Sequence, residues 1–271
     1  MLKSFNEYAK RLLMAIQFLD DEKIEHDLLK LTRRTVIAER FFTRRLIAIT
    51  GLQGQGKSSL IRALFGLPEG YLPTIIGQGE KEPIIVKWED GISEIECYKY
   101  GYLDHYSDIA YVKIEKEELK KIAENGVHDK DALYLEIRVP SHEGNIIQDK
   151  EFLLLPGIEK NKKELNWQTN IEYNLEWCVG AIVVTQLEKL ADMHSKDFKT
   201  TLEDKLLNKY SLVVSCCDGK SQEELNEAKI RGAESFFSDT QCTNNVVCTG
   251  IGLNNSFDVG EQYPIHTLKI L

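Results

Sequence analysis

Gly51-Leu52-Gln53-Gly54-Gln55-Gly56-Lys57-Ser58 is the stretch on which the reading of this chain turns. It is a full match to G-x-x-x-x-G-K-[ST], a loop that cradles nucleotide phosphates. Glycines let backbone N–H groups curl round a β-phosphate, and a helix N-terminus behind them adds a favourable dipole. Lys57 is then placed to reach the β- and γ-phosphates, and the Ser58 hydroxyl to sit on Mg2+. The setting supports the pattern. The apolar run Leu46–Thr50 predicts a buried strand ahead of the loop, and Lys57–Phe65 a helix behind it.

Working outward, short apolar runs alternate with helical patterns. Strands are expected over 84–88 and 93–100, joined as a hairpin by the turn at Asp90-Gly91, with a charged helix over 113–123 and a strand over 133–139. A short strand over 152–155 stops at Pro156-Gly157. Helices over 165–178, 196–209 and 222–237 then alternate with strands over 181–185, 211–215 and 246–249. This order predicts an α/β fold with a mostly parallel sheet flanked by helices. Upstream, Leu2, Phe5, Ala9, Leu12, Ile16 and Leu19 recur at spacings that share one helix face, and Ile24, Leu28 and Leu31 extend it past a kink around Asp20-Asp21. The expected organisation is a helical segment over 1–42 and one nucleotide-binding domain over 43–271.

The 271 residues leave room for one large domain, or one with an appendage. Lys and Arg total 34 against 43 acids, a net charge of −9, which argues against nucleic acid or an anionic lipid surface as the main partner. No apolar run reaches the roughly 18–20 residues of a membrane span, and acids flank the run over 12–19 where a signal peptide would have its cleavage site. The six cysteines form no C-x-x-C pair and no zinc pattern, so they read as reduced, half-buried thiols and the location as cytoplasmic. The six histidines show no ligand spacing, and Trp88, Trp167 and Trp177 sit in core-like patterns.

The longer string from Gly51 through Gln53, Ser59 and Leu64 to Gly66-Leu67-Pro68 resembles the dynamin-family GTPases, whose loop reads G-x-Q-x-x-G-K-S-S before a helix and L-P. Leu72-Pro73-Thr74 is similar to the entry into switch I of the bacterial members. The resemblance covers about 46–250, and its specific part is the first thirty residues. It implies GTP or GDP with Mg2+, and cofactor contacts from Gly51, Gly54, Gly56, Lys57, Ser58 and Ser59. Gln53 falls on the glutamine that orients the attacking water, a reasonable role where catalysis is mostly positioning. Thr74 falls on the threonine that ligates Mg2+ beside Ser58, although counting back from Pro83 puts Glu80 there instead.

Two departures qualify the resemblance. Where the family has D-x-P-G, this chain has Leu154-Leu155-Pro156-Gly157, so the Mg2+-holding acid is gone unless another such as Glu159 compensates. Where the family has [NT]-K-x-D, it has Ser215-Cys216-Cys217-Asp218; the lysine that packs over guanine is lost, while Asp218 is kept to bind the base or serves as a helix N-cap. Asp192 and Ser195 lie where dynamins carry a loop touching a second GTPase domain. Phosphate binding is therefore expected to survive and turnover to be slow or absent. Three activities stay open: a GTPase completed by homodimerisation across the nucleotide face, a nucleotide-gated assembly module with little hydrolysis, and an unrelated P-loop ATPase or kinase. The resemblance further implies self-association linked to membrane remodelling, with membrane contact only indirect. It also implies a long helical stalk, absent from this chain, so the stripe over 2–19 is expected to meet a helical partner, another copy or a missing C-terminal half.

Overall fold

The computed structural model describes residues 7–8, 11–12, 14–15, 18, 21–42, 44–73, 82–102, 109–125, 132–141, 150–157, 174–190, 210–237 and 240–250. Within them run strands β1 (Leu46–Thr50), β2 (Ile84–Glu89), β3 (Glu96–Tyr102), β4 (Ile109–Ile114), β5 (Ala132–Pro140), β6 (Glu151–Leu154), β7 (Gly180–Gln186), β8 (Tyr210–Ser215) and β9 (Val246–Cys248). The helices are α1 (Glu22–Phe41), α2 (Lys57–Phe65), α3 (Lys116–Asn125) and α4 (Gln222–Phe237).

All nine strands join one sheet in the order β4-β3-β5-β2-β6-β1-β7-β8-β9. β1 lies between β6 and β7, parallel to both, and the parallel run continues through β8 to β9. Every residue of β1 is buried, as a central strand covered on both faces requires. Alternate side chains divide between two cores. Leu46, Ala48, Val183, Leu212 and Val214 pack with Val36 and Phe41 of α1 and with Leu225, Ala228 and Phe236 of α4. Ile47, Ile49, Leu154, Ile182 and Val184 pack on the other face with Leu60, Ile61 and Phe65 of α2 and Leu119 of α3. Trp88 belongs to this second core, stacked on Phe65 at 3.9 Å between ring centroids.

Two expectations are corrected here. β2 and β3 do not form a hairpin: β5 lies between them, parallel to β2 and antiparallel to β3. Burial explains the choice. Ile84, Ile85 and Val86 are all fully buried and need a covered strand such as β5 as neighbour, whereas β3 is half exposed and suits a place near the edge. The helix over 113–123 begins only at Lys116, because Tyr111 to Ile114 continue β4 and pair with β3, Tyr100 opposite Tyr111.

Asp21 caps α1, its carboxylate accepting from the main-chain N–H of Lys23 at 3.0 Å and of Ile24 at 3.2 Å. The helix thus starts at Glu22, while Asp20, part of the expected kink, lies outside the described residues. Leu28 packs on the core but Leu31 is 53% exposed, so the extended stripe does not share one buried face. Near its C-terminus α1 is held by polar contacts. Arg40 donates to Tyr111 Oη from Nε at 3.0 Å and from Nη2 at 2.8 Å. Arg44 pairs with Glu151 at 2.7 Å and with the buried Glu136 at 3.3 Å. These arginines serve the end of β1 opposite the glycine loop. No helix among the described residues is long and apolar enough to cross a membrane.

Candidate nucleotide-binding site

The glycine loop leaves β1 at Thr50 and passes directly against β7. Gly51 has φ 143°, and a Cβ on it would lie 2.2 Å from the main-chain oxygen of Val184, so only glycine fits. The loop re-enters helix at Gly56, which has φ 94° and bonds none of the first N–H groups of α2 through a side chain. That helix start is the anion-seeking end of the dipole. Lys57 is buried, and its ammonium donates to the main-chain oxygen of Leu52 at 3.2 Å, reaching back across the curl of its own loop. Ser58 and Ser59 follow, half-buried, in the first turn of α2. Gly54 stands exposed at the loop's tip.

Three hydrogen bonds fasten this loop to the ends of β7 and β8. The buried side-chain oxygen of Gln55 accepts from the main-chain N–H of Gln186 at 2.7 Å. The Gln186 amide donates to the main-chain oxygen of Gly54 at 2.8 Å. Ser215 Oγ donates to the main-chain oxygen of Gln55 at 2.8 Å. Sequence reasoning missed Gln55 and Gln186. The available signal was a polar side chain held between two glycines, with no room to reach solvent. Gln55 Nε2 and Thr50 Oγ1 are buried without a hydrogen-bond partner, so polar atoms within and at the foot of the loop remain to be satisfied.

Beyond Ser215, Cys216 adopts φ 60°, a left-handed conformation rare outside glycine. The turn sends Cys217 into the core and leaves Cys216 and Asp218 exposed. Asp218 lies against Gly250, where a Cβ would come within 2.5 Å of its Oδ1. Asp218 does not cap α4. Ser221 does, its hydroxyl accepting from Glu224 N–H at 3.3 Å while the Glu224 carboxylate accepts from Ser221 N–H at 2.8 Å. The Ser221 N–H bond, followed by the Lys220 and Ser221 side chains, holds the Glu224 carboxyl below its ordinary value.

Leu154, where the resemblance would put an acid, is fully buried, in register with Ile49 on one side and Ile84 on the other. Just beyond it Gly157 meets the glycine loop: a Cβ there would lie 2.8 Å from both Gln53 Cα and Lys57 Nζ. The fold therefore gathers Gly51, Gln53, Gly54, Gly56, Lys57, Ser58 and Ser59 at one end of the sheet, with Asp218 reached through Ser215. Thr74, Glu80, Glu159, Asp192 and Ser195 lie outside the described residues. Among those described, no group of three or more His, Cys, Asp or Glu side chains is placed to hold a metal.

No family model and no curated protein matches the sequence. Similarity is found in structure. Two solved structures of an oligomerised bacterial dynamin pair, described as a mechanism for long-range sensing and tethering of membranes, superimpose on this chain. One does so over 93% of the chain with a TM-score of 0.56 at 17% identity. The other covers 96% with a TM-score of 0.58 at 18% identity. In both, the match spans 39% of the solved chain's length. This chain thus shares, at the level of fold, the mostly parallel, helix-flanked sheet of those dynamin structures.

Proposed function

We propose that this chain is the GTP-binding portion of a dynamin-like protein, coupling nucleotide state to self-association. The observation that carries the reading is the pinned glycine loop. A buried lysine, a glycine-capped helix start and three hydrogen bonds to the ends of β7 and β8, the latter leading to Asp218, suit a purine nucleotide with a phosphate tail. The loop N–H groups and Lys57 hold the phosphates, Ser58 offers its hydroxyl to Mg2+, and Asp218 accepts from the guanine edge. Bound Mg2+ neutralises charge on the phosphates. Gln53 beside Gly157 is the group set to orient water, with Thr74 the proposed second hydroxyl for the metal. A homodimer across the nucleotide face, and membrane remodelling performed by other parts of a longer assembly, complete the proposal. Support for that step comes from the dynamin pair's fold.

Leu154 favours a second reading. A hydrocarbon where an acid would steady Mg2+ suits a module that binds nucleotide, gates assembly and scarcely turns over. Titration with GTP and with ATP, each with and without Mg2+, tests binding; equal affinity for the two bases sinks the guanine assignment. Turnover measured against protein concentration separates the two readings. A more than linear rise supports the assembling GTPase, and no phosphate release at any concentration supports the gated module.

A further inference from the structure

Gln186 ends β7 and Ser215 ends β8, and the two stand opposite each other in the parallel register. Both reach the glycine loop, on two successive peptide units. The Gln186 side-chain amide donates to the main-chain oxygen of Gly54 at 2.8 Å, and Ser215 Oγ to that of Gln55 at 2.8 Å. The main-chain N–H of Gln186 holds the same loop a second time, through the Gln55 side-chain oxygen at 2.7 Å. That oxygen also accepts from Thr185 Oγ1 at 3.5 Å.

A carbonyl held in this way fixes the amide on the other side of its own peptide bond. No peptide bond among the described residues is cis, so each planar unit points its C=O and its N–H in opposite directions. With the Gly54 oxygen drawn to Gln186, the Gln55 N–H is turned away from the strand ends. With the Gln55 oxygen drawn to Ser215, the Gly56 N–H is turned away likewise. Backbone handedness agrees. Gly54 and Gly56 have φ 73° and 94°, whereas Gln55 between them is not left-handed. Such alternation makes successive N–H groups converge on one concave, anion-seeking side. Neither N–H meets an acceptor among the described residues. Gln55 itself is 1% exposed, so the turn is carried by a residue with no freedom to swing out.

We propose that Gln186 is a positioning residue for the phosphate site: its side-chain amide orients the Gly54–Gln55 peptide so that the Gln55 N–H donates to a phosphate oxygen, while Ser215 does the same for the Gly56 N–H. The ligand served is a diphosphate group, the part common to GDP, GTP and inorganic pyrophosphate. This deepens the nucleotide reading above and rests on it. Without the Gln186 amide, the Gly54–Gln55 peptide turns about a glycine whose backbone is soft on either side of zero φ. Phosphate binding then has to order it, which lowers affinity. Gln186 acts through the Gly54 carbonyl, not by contact with the phosphate.

The test uses the isotope-labelled full chain with two variants. Gln186→Leu loses the side-chain donor and keeps the main-chain N–H; Gln186→Lys keeps a donor of similar reach. Each protein is titrated with GDP and with inorganic pyrophosphate while the Gln55 and Gly56 amide protons are followed by NMR. In the wild type both protons are expected to move downfield with either probe. In Gln186→Leu the Gln55 response should shrink while the Gly56 response, held by Ser215, persists; Gln186→Lys should restore it. Affinity of Gln186→Leu for both probes is expected to fall by the same factor, about 2- to 10-fold, the size of one neutral hydrogen bond. An undiminished Gln55 response overturns the proposal. So does a loss of GDP affinity with pyrophosphate affinity unchanged, or a wild type in which neither probe moves the two protons. A wild type that answers to pyrophosphate but binds GDP no more tightly refutes the nucleotide reading, and the pyrophosphate titrations alone then decide the role of Gln186.

Discussion

Ser215 Oγ donates to the main-chain oxygen of Gln55 at 2.8 Å, tying the loop expected to read the base to the loop expected to hold the phosphates. Ser215 stands first in the segment that the resemblance aligns with base recognition, and Gln55 lies buried in the glycine loop. Two halves of the site that are 160 residues apart in sequence thus share a hydrogen bond.

Loosening that tie is expected to speed nucleotide release. Each neutral hydrogen bond contributes about 0.5–1.5 kcal/mol, so Ser215→Ala should raise the GDP dissociation rate by about 2- to 10-fold with little loss of thermal stability. Stopped-flow release of a fluorescent GDP analogue measures it. An unchanged rate removes Ser215 from the site.

Lys57 is expected to dominate phosphate affinity. It is buried and held within the loop by the Leu52 oxygen, so Lys57→Ala removes a charge already in place. A hydrogen bond from a charged donor contributes about 1.5–3 kcal/mol, which weakens GTP binding by roughly 10- to 100-fold. Calorimetric titration reads this directly, and a circular dichroism melt checks that the variant folds.

Gly51→Ala should destabilise the protein with or without nucleotide. Its Cβ would penetrate to 2.2 Å from the Val184 oxygen in the centre of the sheet. Relief requires β1 or β7 to move, at a cost of about 3 kcal/mol or more. Denaturant melts of the variant should show a clearly lower midpoint; an unchanged midpoint refutes the close approach.

Leu154→Asp places an acid where the resemblance expects one but should harm this protein. The side chain is fully buried between Ile49 and Ile84, and an unpaired carboxylate there costs several kcal/mol. The expected result is a lower melting temperature without nucleotide. An equally stable variant would mean that the β6 end opens readily to water.

Glu136 gives the stability a pH dependence. Burial pushes its carboxyl up, but Arg44, Lys87 and Arg138 together more than offset this, and its pKa ends below the ordinary value. For an acid so lowered, the contribution is present above the unfolded-state value near pH 4.3 and is lost as pH falls through the folded value. Glu151 runs the other way: burial outweighs Arg44 and raises its pKa, so it opposes part of the acid loss. Melts from pH 7 to 3 should show that acid loss in the wild type, and Glu136→Gln should flatten it. The same variant should be less stable at pH 7, by about 3 kcal/mol, because three cations lose a buried partner.

Much of the frame was legible in the chain itself. The glycine loop between β1 and α2 was readable because its chemistry is local: glycines, lysine and serine act within eight consecutive residues. Helix α4 and the strands β5 to β9 were readable because apolar period and turn residues bound them. The β2–β3 hairpin was misread because two strands beside a turn look alike whether they pair or receive a third strand between them. Lys113 and Ile114 were misassigned to a helix because residues 113–123 carry a charged helical period, while membership of β4 depends on pairing with β3.

What the sequence alone determined is therefore the phosphate-loop pattern, the alternation of strands and helices, and that Leu154 and Cys216 stand where the resemblance would put an acid and a lysine. Only the tertiary structure decided that Gln55 is pinned to β7 and β8, that Ser221 rather than Asp218 caps α4, and that β5 lies between β2 and β3. The division has a physical cause. Backbone conformation and amphipathic period are set by near neighbours in the chain, whereas hydrogen bonds between parallel strands join residues that only the folded sheet brings within reach.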